Sequence, residues 1–112
     1  MSLHRANVEK ALSRISGYVH RTPVMSSGFV DKLLGCSVLF KCENLQKVGA
    51  FKARGAINAV LSLPASVHTV ITHSSGNHGA ALAWAASQVN KKSLIIVPVD
   101  AKPIKKSAIR SY

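Results

Sequence analysis

The sequence predicts an α/β chain, a partial three-layer open sheet built around one parallel βαβ unit. Three observations carry that expectation. β-Branched runs stand at 69–72 (TVIT) and 93–97 (SLIIV), and the alanine-rich stretch between them, 80–89, suits a single helix. Strand, crossover helix and strand at this spacing give parallel strands with a right-handed connection. The chain has 112 residues and is 47% hydrophobic, enough for one packed core, so residues 1–112 are expected to be part of one domain with no second complete one.

The elements follow in order. Asn7 can cap a helix whose apolar face is Val8, Ala11, Leu12 and Ile15, and Gly17 suits its C-terminal end. His20-Arg21-Thr22-Pro23-Val24 is extended, since the residue before proline is pushed out of helical space. Ser26 or Ser27 opens a short helix through Val30, Leu33 and Leu34 that Gly35 ends, and residues 37–42 (SVLFKC) form a strand. A loop at 43–50 leads into a helix over 51–63, where Phe51, Ala56, Ile57, Val60, Leu61 and Leu63 recur with helical spacing before Pro64. A last amphipathic helix carries Ile104, Ala108 and Ile109, and the chain ends inside it at Tyr112 without a stop signal, which suggests truncation.

Composition limits the function classes. No apolar run approaches the roughly 20 residues a membrane span needs, and no apolar signal core stands in the N-terminal residues given; a cytoplasmic address is the default expectation. Cys36 and Cys42 stand in neither CxxC nor zinc spacing, which fits a reduced compartment and two buried structural thiols. Fifteen Lys+Arg against four Asp+Glu give a formal charge of +11. The basic residues are nevertheless spread from Arg5 to Arg110, and aromatics make up only 5% without alternating with basic residues, so no specific nucleic-acid partner is expected.

Two loops lie where ligands bind in parallel sheets, at strand ends that feed helices. The first is Gln46-Lys47-Val48-Gly49-Ala50-Phe51-Lys52. Lys52 falls in the first turn of its helix, where the macrodipole disfavours a cation; Arg54 nearby and apolar Phe51 and Ala53 beside it would further favour a neutral, nucleophilic amine. Position alone does not separate this from an ordinary solvated lysine. The second loop is His73-Ser74-Ser75-Gly76-Asn77-His78-Gly79, whose hydroxyls, amide and glycines at a βα junction make a cradle for an anion or a carbonyl oxygen. Tight-turn chemistry alone would also account for its glycines. His73 and His78 have no Cys, Asp or Glu near them in sequence to complete a metal site, so metal is expected to be absent and His73 to pack at the strand end.

Together the segments FKCENLQKVGAFKARGAINAV and THSSGNHGAALAWAA resemble the N-terminal motifs of the serine racemase and serine/threonine dehydratase group. These are pyridoxal-phosphate (PLP) enzymes of the tryptophan-synthase-β-like fold, and Thr22-Pro23 lies where the group carries its TP element. The resemblance runs from about Val8 to Tyr112 and implies the N-terminal portion of a PLP-dependent catalytic domain. It implies that Lys52 is the Schiff-base lysine and moves the proton on one face of the amino acid. It also implies that Asn77 contacts the PLP ring hydroxyl, and that Ser75 is the second acid/base on the opposite face. The 74–79 loop would receive the substrate carboxylate, with L-serine or L-threonine as substrate and a homodimer as the full-length form. Ser27, Lys47 and Tyr112 fall where animal serine racemases bind a nucleotide.

The sequence departs from that pattern at Ala50, usually serine, and at Ala80, where animal racemases carry glutamine. Gly28 and Val48 replace polar neighbours of the nucleotide site, which argues against nucleotide control. No glycine follows Gly79, so the family's downstream glycine-rich phosphate loop is not in this chain, and weak PLP retention is expected. The leading expectation is therefore a truncated racemase or dehydratase, inactive alone. Alternatives are an interaction piece that pairs with an intact family member, and a small RNA-binding module in which Gly76-Asn77-His78-Gly79 imitates the KH-domain loop.

Overall fold

The computed structural model describes residues 3–112 and sets the elements in the order α1 (Arg5–Ile15), β1 (Val24–Met25), α2 (Gly28–Leu34), β2 (Phe40–Lys41), two 3-10 turns (Glu43–Leu45 and Lys47–Gly49), α3 (Lys52–Leu61), β3 (Thr69–His73), α4 (Asn77–Ser87), β4 (Lys92–Ile96) and α5 (Pro103–Arg110). β3 and β4 pair in parallel, from Thr69 opposite Lys92 to His73 opposite Ile96, with α4 as the crossover. The mixed α/β arrangement with its parallel βαβ unit is thus the one the sequence predicts.

The core lies between α3 and α4. Ala53, Ala56, Ile57 and Val60 share one stripe of α3 at helical spacing, and they pack with Ala81, Leu82, Trp84 and Ala85 of α4 and Ile15 of α1. Alanines at the contact let the two helices approach closely, while Ile57 and Val60 fill the space that remains. α4 is buried from Gly79 to Ala86, because α3 covers one side of it and the β3–β4 sheet the other. A helix enclosed in this way needs no polar face.

Several local expectations are corrected. Asn7 does not cap α1: it sits in the first turn, its Oδ1 accepting from the His4 N–H at 3.0 Å, and His4 takes the cap position. The expected strand at 37–42 shrinks to Phe40–Lys41, paired antiparallel with Val24–Met25, because the Val38 N–H is taken by Asp31 Oδ1 at 2.8 Å instead of a ladder partner. Of the two serines expected to open α2 it is Ser27 that caps it, and Gly35 closes the helix in the left-handed conformation, as expected. α4 begins three residues earlier than expected, at Asn77, since Gly79 and His78 are absorbed into its first turn. Cys36 is exposed and Cys42 half-buried, so the thiols are not both interior.

The sheet is covered on one face only. Val70, Thr72 and Ile95 turn towards α4, whereas Ile71, Leu94 and Ile96 on the other face are each more than half exposed. Parallel strands are normally covered on both faces, which explains why β4 reads as a continuous apolar run. His73 shares the open face through the two-residue pleat and is exposed there, not packed as expected.

Candidate functional site

The lysine loop is shaped by a buried glutamine. Gln46 Oε1 accepts from the backbone N–H groups of His20 and Lys47, both at 2.9 Å, and its Nε2 donates to the His20 carbonyl at 2.8 Å. These bonds tie the 46–51 loop to the 20–23 segment. Val48 and Gly49 then take consecutive left-handed conformations, φ 55° and 66°. That region is costly for a β-branched residue, and Val48 is held in it by packing against the core.

Lys52 emerges as the first residue of α3. Its side chain is exposed, with Nζ 5.2 Å from the centroid of the Phe51 ring. Ala53 turns into the core and is fully buried, so of the two apolar neighbours expected to shield the amine only Phe51 stands beside it. Ala50, where a serine was expected from the resemblance, is buried.

Two residues further on, Arg54 forks onto Glu43, Nε to Oε2 at 2.8 Å and Nη2 to Oε1 at 2.7 Å. The buried Thr22 hydroxyl donates to the same Oε1 at 2.5 Å, and Lys41 Nζ donates to the Thr22 carbonyl at 2.6 Å. The Arg54 guanidinium, aided by Thr22 and Lys41, holds the Glu43 carboxyl down at about 2 against the opposing effect of burial. Nothing in the sequence reading marked this cluster. A single acid between Lys41 and Arg54, in a chain with only four acidic residues, was the available signal.

A folded-state value below the unfolded one contributes stability above the ordinary glutamate range, and that contribution disappears as pH falls through the folded value. The thermal midpoint should therefore drop between about pH 4 and pH 2 more steeply for the natural chain than for Glu43→Gln, which should itself be less stable by about 2 kcal/mol at pH 7. Melting curves across that range check both statements.

The second loop leaves β3 by extending the ladder: the Ser74 N–H donates to the Ile96 carbonyl at 2.9 Å, and Ser74 Oγ accepts from the Gly76 N–H at 3.2 Å. Ser75 is half-buried and Asn77 exposed. No side chain caps α4, so its leading N–H groups are available to an anion. The GNHG run joins a strand to a helix, which is not the two-helix setting of a KH loop.

A cavity of about 360 Å³ is lined by Phe51, Lys52, Arg54, Gly55, Ala56, Ala59, His78 and Leu82. It brings Lys52 together with His78, which the sequence offered as part of the 74–79 loop and as a metal ligand but not as a neighbour of the lysine. Ser75 and Asn77 do not line it; they precede His78 on the loop and at the start of α4. A larger cavity of about 630 Å³, lined by Leu12, Ser16, Val19, His20, Arg21, Lys41 and Arg54, lies against α1. Two of its cations, Lys41 and Arg54, are already engaged, and it takes no residue from either motif loop, 46–52 or 73–79, so the chemistry points to the smaller one. Ser27 spends its hydroxyl as the α2 cap, accepting from the Val30 N–H at 3.4 Å, and Lys47 starts the second 3-10 turn. Among the described residues no three His, Cys, Asp or Glu side chains cluster as metal ligands, and no helix is long and apolar enough to cross a membrane.

Residues 15–112 match the family model described as "Pyridoxal-phosphate dependent enzyme". The serine racemase of Dictyostelium discoideum is 45% identical over 95% of this chain and 33% of its own length. Among solved structures, maize serine racemase superposes with a TM-score of 0.94 at 42% identity, covering all of this chain and 35% of that one. A threonine deaminase from T.th. superposes at 0.89 with 41% identity, over 98% of this chain and 35% of that one. The chain spans about a third of the length of the curated relatives it matches.

Proposed function

The chain belongs to the pyridoxal-phosphate-dependent enzyme family, and from that premise we propose that it is the lysine-bearing part of a serine racemase or serine/threonine dehydratase, with L-serine or L-threonine as substrate. The observation that carries the reading is the shared cavity of Lys52 and His78, at the junction of the two motif loops.

The cavity fits the cofactor. An exposed amine stands at its edge, Ala56, Ala59 and Leu82 give it an apolar wall, and a Cβ added at Gly55 would meet no atom within 4 Å, so that side is open to a bound group. When bound, PLP supplies an electron sink that makes the Cα proton of an amino acid labile. Lys52 would hold the cofactor aldehyde and take or return the Cα proton on one face. The Ser75 hydroxyl would serve the opposite face, as racemisation requires, and the Asn77 amide would donate to the ring oxygen. The uncapped N–H groups of α4 and the 74–79 loop would receive the carboxylate. The full-length form would be a cytoplasmic homodimer.

The test is chemical mapping. After incubation with PLP and borohydride reduction, the pyridoxyl label is expected on Lys52 in preference to the other nine lysines, and Lys52→Ala should leave only a low, even background. Even labelling of all surface lysines in the natural chain would defeat the reading. A second reading, a non-catalytic piece that pairs with an intact family member, is favoured by the exposed Ile71, Leu94 and Ile96 face. Co-purification with a full-length enzyme would support it, and a monodisperse monomer in its presence would oppose it.

A further inference from the structure

We propose that Glu43 is a positioning residue for Lys52: by gripping Arg54 from outside the helix it fixes the rotation of the first turn of α3, and with it the angle at which the amine meets the cavity. The inference rests on the reading of Lys52 as the cofactor-holding amine.

α3 begins without a side-chain cap and without an acidic residue in its first turn. Arg54 in that turn is a cation at the positive end of the helix dipole, an arrangement that disfavours the start of the helix unless an anion stands nearby. Glu43 is that anion, supplied from a different segment. Residues 52 and 54 are separated by about 200° around the helix axis. The fork on Arg54 therefore anchors the turn at a second point well round the axis from Lys52, although both residues border the cavity, and a hydrogen-bonded turn is rigid enough to transmit that constraint.

Both oxygens of Glu43 engage the guanidinium, so the grip sets an angle as well as a distance. Glu43 is itself braced by the Thr22 hydroxyl, and Thr22 is braced by Lys41; Arg54 Nη2 reaches the His20 carbonyl at 3.1 Å. The first turn of α3 is thus tied to the 20–23 segment and to the end of β2. Among the described residues the other side-chain tether that ties α3 to another element, Arg14 Nη1 to Asn58 Oδ1 at 2.6 Å, lies more than a turn away. Among the described residues Lys52 has no side-chain hydrogen-bond partner to aim it, only the Phe51 ring.

The test compares the natural chain with Glu43→Gln, Arg54→Lys and Thr22→Val, each loaded with PLP, reduced and peptide-mapped at a temperature where circular dichroism shows it folded. The readout is the ratio of label on Lys52 to label on Lys92, compared only between fully folded samples, because an unfolded fraction would itself pull the ratio towards one. Glu43→Gln should lower that ratio about tenfold, in keeping with the sensitivity of such reactions to small misplacements. Arg54→Lys, which keeps the charge and loses the fork, should lower it to a similar extent, and Thr22→Val should lower it less. Thr22→Val leaves the ion pair in place and so provides a folded variant should the other two unfold. An undiminished ratio in the folded variants, beside a selective natural chain, overturns the positioning role and leaves the Lys52 reading standing. An unselective natural chain overturns both.

Discussion

Gly79→Ala should destabilise the protein by about 3 kcal/mol, at the upper end for an inserted methyl group. A Cβ at that position would lie 2.6 Å from the Ser74 carbonyl oxygen, 3.0 Å from Ile95 Cγ2 and 3.3 Å from Ile109 Cδ1. The nearest obstacle is backbone, so no side-chain rotation relieves it. Relief would require α4 to move off β3, carrying Ser75, Asn77 and His78 with it. Urea unfolding followed by the emission of the buried Trp84 should show a lower midpoint with an unchanged slope. Gly55→Ala is the matched control. It has no atom within 4 Å and lies inside α3, so it should stabilise the chain by about 1 kcal/mol. Equal effects from the two alanines would contradict the close approach at Gly79.

Ile57→Ala should cost about 3 kcal/mol, the sum of lost burial and the cavity left behind. Ile57 is fully buried between α3 and α4 and is the larger of the two bulky side chains with almost no exposure, Val60 being the other. Four of the residues that share its core cluster, Ala53, Ala56, Ala81 and Ala85, are too small to move into the space. The same change should loosen α3 against α4, so label on Lys52 should fall even where circular dichroism shows the chain folded. Ile57→Val removes one methyl group and should cost only about 1 kcal/mol. A loss of stability in Ile57→Ala no larger than in Ile57→Val would mean that the interface re-collapses.

The parallel βαβ unit was legible because β-branched runs and an alanine-rich stretch have different periods, and Gly35 and Pro64 mark helix ends through backbone chemistry that needs no partner. The strand expected at 37–42 was misread for the opposite reason. Its composition suits a strand, but a strand exists only where a ladder partner is aligned, and Asp31 claims the Val38 N–H. Asn7 was similarly ambiguous, since the same side chain can cap from outside the helix or accept from the preceding backbone N–H inside the first turn.

The sequence by itself determined the chemistry on offer: an amine at residue 52, hydroxyls and an amide in the 74–79 loop, and helices whose apolar stripes must meet. Tertiary structure alone decided that His78 shares a cavity with Lys52, that Ser75 and Asn77 do not line it, and that Glu43 reaches across eleven residues to Arg54. The division is physical. Periodicity and turn preferences act between residues a few positions apart and are written along the chain, whereas an ion pair or a shared cavity depends on how packed helices bring distant side chains within a few ångströms.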